Sequence, residues 1–251
     1  MTRRSVAAGS ALALAMAGIS PAHANARREQ ADVYAAGSQR LLYREEHLVQ
    51  PGASPERWVV YRCPDGKPFA RKRVAAGGAR PDFALEDARD GYREGVRGAG
   101  DARQVYVGLA GKETSRRVPV PADGVIDAGF DAAVRTHWAQ LMRGETVQLR
   151  FLVPSRKQFF PVQLRRMGSA DWNGIRAERL RMKLDTWFGF AVPEVTLVYA
   201  RDGRRLLEFN GTGNLRDGRG RNPQVRIAFQ PQAQLASASE LASVARLPLD
   251  G

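Results

Sequence analysis

Four carboxylates, Glu145, Glu178, Asp185 and Glu208, fall in the strand-rich middle of this 251-residue sequence. Two carboxyl groups facing one another across a cleft can serve as the acid and base of a hydrolase. Two of them could face one another in this way, but spacing alone does not show it, and solvated strand faces account for them better. Zinc chemistry has few donors: beyond the first 26 residues only His47 and His137 remain, and Cys63 is the single cysteine. Neither His-x-x-x-His nor Cys-x-x-Cys occurs. His137 falls beside the apolar stripe of a predicted helix, where a packed histidine is expected rather than a ligand. Gly108-Leu109-Ala110-Gly111-Lys112-Glu113-Thr114 is too short for a phosphate loop, and Glu113 stands where a hydroxyl should hold magnesium. There is no Gly-x-Ser-x-Gly elbow. Neither a catalytic set nor a cofactor is expected.

Aromatic residues are the more informative signal. Phe159, Phe160, Trp172, Trp187, Phe188 and Phe190 fall at or near strand ends, where turns are ordinarily polar. Bulky apolar loops must be buried or must meet something apolar. They either plug the end of a sheet as core or, with Phe151, Met182 and Trp138, line a cavity for an acyl chain. In the second case Arg156, Lys157, Arg165, Arg166, Arg179, Arg181 and Lys183 are candidates to meet an anionic head.

The elements that must position these residues follow from periodicity. Val147, Leu149, Phe151 and Val153 alternate with Gln148, Arg150 and Leu152, the period of two that a half-buried strand requires. Further strands are predicted over 160–167, 175–184, 194–200 and 205–210, and Asp202-Gly203 suits a hairpin turn. Earlier, 40–49, 57–62 and 69–74 read as strands, the last two joined through Pro64-Asp65-Gly66-Lys67-Pro68. Strands are also expected at 103–109 and 224–230, and a short helical turn at 82–90. One helix stands out. Phe130, Val134, Trp138 and Leu141 form a single apolar stripe, with Asp127 as its cap and Gly144 as its stop. In Leu180-Arg181-Met182-Lys183-Leu184 apolar and cationic residues alternate, giving one oily and one cationic face.

The ends bound the compartment. Arg3-Arg4, the apolar run from Ala7 to Ile19 and Ala22-His23-Ala24 or Ala24-Asn25-Ala26 have the form of a cleaved secretory leader, residues 1–26. A periplasmic or secreted protein is expected, with residues 27–39 as a flexible lead-in, 40–230 as one β-rich domain and 231–251 as a loosely held tail. The net charge of +13 loses two units with Arg3 and Arg4. In an exported chain such a surface is suited to anionic membrane or polymer rather than to nucleic acid. Oligomeric state is not legible.

The fold expected is mainly β, a curved antiparallel sheet or half-barrel with one helix packed on its open face. Together with Leu149-Arg150-Phe151-Leu152-Val153-Pro154, the 195–209 hairpin and Gly211-Thr212-Gly213-Asn214-Leu215, this resembles the lipoprotein-carrier (LolA/LolB-like) half-barrels of bacterial envelopes and allied exported β-rich families. The resemblance implies a hydrophobic ligand between sheet and helix and no cofactor. A non-catalytic binder of a lipid or other amphipathic molecule is therefore the first expectation. An envelope module acting through its basic surface is the second, and a hydrolase the third.

Overall fold

The computed structural model describes residues 26–50, 56–184 and 194–251. The first half of the chain is a run of antiparallel strands: β1 (Ala26–Ala35), β2 (Leu41–Gln50), β3 (Glu56–Arg62), β4 (Pro68–Val74), β5 (Phe83–Asp87), β6 (Tyr92–Arg97), β7 (Ala102–Leu109) and β8 (Lys112–Pro119). A short strand, β9 (Gly124–Val125), leads into helices α1 (Gly129–Thr136) and α2 (Trp138–Met142). The second half is β10 (Val147–Val153), β11 (Gln158–Trp172), β12 (Ile175–Leu184), β13 (Val195–Ala200), β14 (Leu206–Thr212) and β15 (Gln224–Phe229), closed by β16 (Gln234–Ala236) and α3 (Ala238–Val244).

All the strands join one curved, unclosed sheet in the order β8 to β1, then β15 down to β9, with β16 added beside β1. Among the described residues only the β9–β10 pairing is parallel. Because β8 and β9 are consecutive in the chain yet sit at opposite ends of the sheet, residues 120–123 cross from one edge to the other. The sheet is thus curled by covalent connection, without hydrogen bonds between β8 and β9.

The curl goes beyond edge-to-edge approach. Leu149 and Phe151 point toward the helices, whereas Leu152 and its cross-strand partner Phe159 point the opposite way. Leu152 is nevertheless 1% exposed, packed in the core built by β1 to β8. The β10–β11 hairpin is therefore sandwiched, helices on one face and the first-half strands on the other.

Two expectations about the termini are corrected. Residues 27–39 are not a flexible lead-in, because Ala26–Ala35 is an interior strand paired with both β2 and β15. Its inward set is Glu29, Ala31 and Val33, small or charged rather than bulky, so the strand pattern was weak in sequence. The tail is not loose either. Ala236 and Val244 are buried with Ala26, Leu48 and Val60, and Ser237 and Glu240 form a reciprocal capping box that starts α3. The helical turn expected at 82–90 is strand β5, whose inward set Phe83, Leu85, Asp87 ends on a carboxylate.

The single long helix is two. His137, with φ −94° and ψ 11°, separates them, although its N–H still donates to the Ala133 carbonyl and its own carbonyl accepts from Leu141. The apolar stripe survives the break: Phe130, Val134, Trp138 and Leu141 all pack on one cluster. Asp127 does not cap; its φ of 43° takes it out of the helix and its carboxylate goes to Lys72.

Candidate functional site

The helices cover the inward faces of β10 to β13. Register pairs Leu149 with Val162, Leu164 with Met182 and Leu180 with Leu197, so one continuous apolar surface runs across four strands. Between it and the helices lies a cleft lined wholly by apolar side chains, among them Val125, Phe130, Val134, Phe151, Met182 and Leu197. It leaves only about 10 Å³ for the centre of a water molecule, about the threshold for one water. As it stands the cleft has no room for an acyl chain.

Polar contacts hold them down. Tyr199, fully buried on β13, donates its hydroxyl to Oδ1 of Asp131 on α1 at 3.2 Å. Arg135 and Arg57 lie 2.8 and 3.6 Å from Oδ2 of the same carboxylate. Burial, and then the Asp131 charge, push the Tyr199 phenol well above its ordinary value, so it stays a donor. Trp138 meets Tyr199 edge-on at 6.2 Å, and the guanidinium of Arg204, on the β13–β14 turn, lies 5.7 Å from the Trp138 ring centre.

The first-half interior is different in kind, since its inward positions carry charge. His47 Nε2 is 2.8 Å from Glu45 Oε2, Lys72 pairs with Asp127, and Arg89 binds Asp87 while lying 4.0 Å over Phe69. Tyr92 donates to Glu94 at 2.7 Å, and Asn214 donates to the Tyr61 hydroxyl at 3.0 Å. Burial raises the Glu94 carboxyl to about 7, partly opposed by the Tyr92 hydrogen bond. The Tyr43 hydroxyl and His47 Nδ1 are buried without a hydrogen-bond partner among the described residues. Sequence reasoning missed this belt. The available signal was Tyr43-x-Glu45-x-His47, three polar-capable residues on one face of a predicted strand.

The candidate residues divide. Phe151, Met182 and Trp138 share the cluster beneath the helices, and Phe160, opposite Phe151 in register, is on the same face. Phe159 packs instead into the first-half core. Trp172 lies on the other side of the sheet with Ala170 and Ile175, because the bulge at Met167–Gly168 reverses the facing of β11. Trp187, Phe188 and Phe190 lie outside the described residues. The cations expected around a ligand head are displaced as well. Arg166 turns inward onto Glu178 at 2.7 Å, while Arg165, Arg179, Arg181 and Lys183 occupy the convex face, away from the cleft.

The proposed carboxylate pairs do not form among the described residues. Glu178 is 1% exposed on the inner face, Glu208 is on the outer face held by Asn210, and Glu145 pairs with Arg143. Asp185 lies outside the described residues.

The geometry defines a class: an open, curled β-sheet protein with helices across its concave face. No family pattern and no curated protein sequence matches the chain. Among solved structures it is similar to a β-barrel-like protein of a domain of unknown function, DUF1849, from Brucella abortus. That likeness has 10% identity and a TM-score of 0.51, and covers 85% of this chain and 98% of the other. A DUF1329 family protein from Desulfovibrio piger matches at 10% identity and TM-score 0.28, over 84% and 85% of the two chains. A putative outer membrane lipoprotein-sorting protein domain from Vibrio parahaemolyticus matches at 7% and 0.30, over 88% and 90%. The first carries the fold alone; the other two carry no further argument.

Proposed function

We propose that this chain is an exported, non-catalytic binding protein that takes the acyl part of a lipid or other amphipathic molecule between β10–β13 and the α1–α2 pair. The observation that carries the reading is the wholly apolar cleft under a helix pair broken at His137. Such a lid can lift as two short pieces, exchanging helix–sheet contacts for ligand–sheet contacts of similar area. Arg204, stacked on Trp138 at the edge of the helices, is the cation placed to meet an anionic head. Native mass spectrometry of protein recovered from the envelope in mild detergent should find bound lipid. Vesicles carrying brominated acyl chains should quench Trp138. A chain that is recovered empty and takes up no lipid from vesicles is not a lipid binder.

A second reading, an envelope module docking on anionic membrane, has one specific observation in its favour. Arg165 and Arg181 are directly opposite one another on the convex face. Like charges so placed are destabilising; Glu194, 3.7 Å from Arg181, offsets one of them, and an anionic surface would offset the other. This reading predicts vesicle binding that disappears as salt rises and survives substitution of Trp138.

A further inference from the structure

The convex face carries a second depression, of about 380 Å³, which the lipid reading does not use. It is lined by Thr196 and Val198 of β13, Glu208 and Asn210 of β14, and Trp172 and Arg179 from the β11–β12 ribbon. The register explains the grouping: Thr196 faces Asn210 and Val198 faces Glu208, while the bulge in β11 carries Trp172 to this side.

Glu208 is the organised centre. Asn210 Nδ2 donates to its Oε1 at 2.7 Å, Trp172 Nε1 donates to its Oε2 at 3.4 Å, and Arg226 lies 3.6 Å from Oε2. These contacts fix the amide and the indole against each other. Several groups beside them are uncommitted among the described residues: the Asn210 carbonyl oxygen accepts no hydrogen bond, Thr196 makes no side-chain bond, and Arg179 forms no ion pair. The depression therefore offers an aromatic face, acceptors, a hydroxyl and a five-donor fork within one small volume.

That mixture narrows the ligand. An apolar chain would desolvate Glu208, Asn210 and Thr196 without replacing their water. A simple anion gains no net attraction, because Asp171 and Glu208 offset Arg179 and Arg226. A peptide adding as a strand needs a free sheet edge, and β13 and β14 are paired on both sides. A pyranose ring meets all the conditions, because its C–H face is apolar and its vicinal hydroxyls both donate and accept. We propose that this groove binds a sugar unit of a saccharide. Its C–H face rests on Trp172, and its hydroxyls pair with Glu208, Asn210 and Arg179.

The test is titration of the isotopically labelled chain with maltohexaose, cellohexaose and chitohexaose, following the indole N–H resonances. Trp172→Phe assigns the Trp172 signal while keeping a ring in the cluster. At least one of the three sugars should shift the Trp172 indole saturably, with a Kd on the order of 1 mM. Arg179→Ala, at an exposed position, and Asn210→Ala should each weaken that binding about tenfold with the unfolding midpoint of Arg179→Ala unchanged. No shift with any sugar at roughly 20 mM overturns the proposal. So does a shift confined to Trp138, or binding indifferent to both alanine substitutions. Lipid uptake in the cleft is read on the other face and does not bear on this result.

Discussion

Lys72 Nζ, on a strand of the first half of the sheet, lies 3.0 Å from Oδ2 of Asp127, the residue that leads into the helices over the second half. Both side chains are nearly buried, at 9% and 14% exposure, and they join the two interiors at the point where the chain has crossed between the sheet edges. The pair ties the lid to the wall opposite the cleft.

Removing one partner leaves the other buried and unpaired, which costs about 3–5 kcal/mol. Lys72→Met and Asp127→Asn should each approach that loss in urea unfolding. Asparagine keeps the left-handed backbone at 127 accessible, so its effect reports the charge. The double variant should be more stable than the sum of the two losses implies, by at least about 1 kcal/mol. Simple additivity would show that the pair does not couple the halves.

Glu94 supplies a pH signature. Its carboxyl is raised from 4.5 to about 7, chiefly by burial. Between those values the folded chain keeps a proton that the unfolded chain has lost, so stability falls as pH rises from about 4.5 to about 7. Below that window the group contributes no penalty. The loss should be about 1–3 kcal/mol. Glu94→Gln should remove this slope from the pH dependence of the urea midpoint. An identical slope in the variant would assign it elsewhere.

Tyr199→Phe removes the hydroxyl that holds Asp131 and leaves the ring in place. With Arg57 and Arg135 still on the carboxylate, the loss should be about 1 kcal/mol. If lifting α1 admits ligand, the same variant should load lipid from vesicles faster than the parent. Slower or equal loading, with stability reduced, would mean that the Asp131 contact does not limit entry.

Truncation tests the first strand. A chain beginning at Asn25 should unfold cooperatively, because Ala26 is 3% exposed and opposite Ala236 in register. A chain beginning at Arg40 loses the strand between β2 and β15 and should show no cooperative transition by circular dichroism. Retained cooperativity would mean that residues 26–39 are dispensable after all.

Much of this architecture was legible in local pattern. The alternation of Val147, Leu149 and Phe151, the Asp65-Gly66 turn and the four-residue stripe of Phe130, Val134, Trp138 and Leu141 each name an element without any structure. They do so because side-chain direction repeats every two residues in a strand and every 3.6 in a helix. Period alone says which residues share a face. It does not say what the face meets.

That second question was decided by the curl of the sheet. The burial of Glu29, Glu45, His47, Lys72 and Asp87 is set by that curl: Lys72 finds Asp127 from 55 residues away, whereas Arg89 reaches Asp87 from two residues along the chain, and such pairing makes burial tolerable. Leu152 and Phe159 become core only because the β10–β11 hairpin is rolled inside β6 to β8. A single bulge at Gly168 moves Trp172 from the helix side to the convex side. The sequence determined the strands and the helix stripe by short-range stereochemistry; the burial of the charged faces, the Lys72–Asp127 pair and the separation of an oily cleft from a polar groove exist only once the two halves of the sheet are wrapped together.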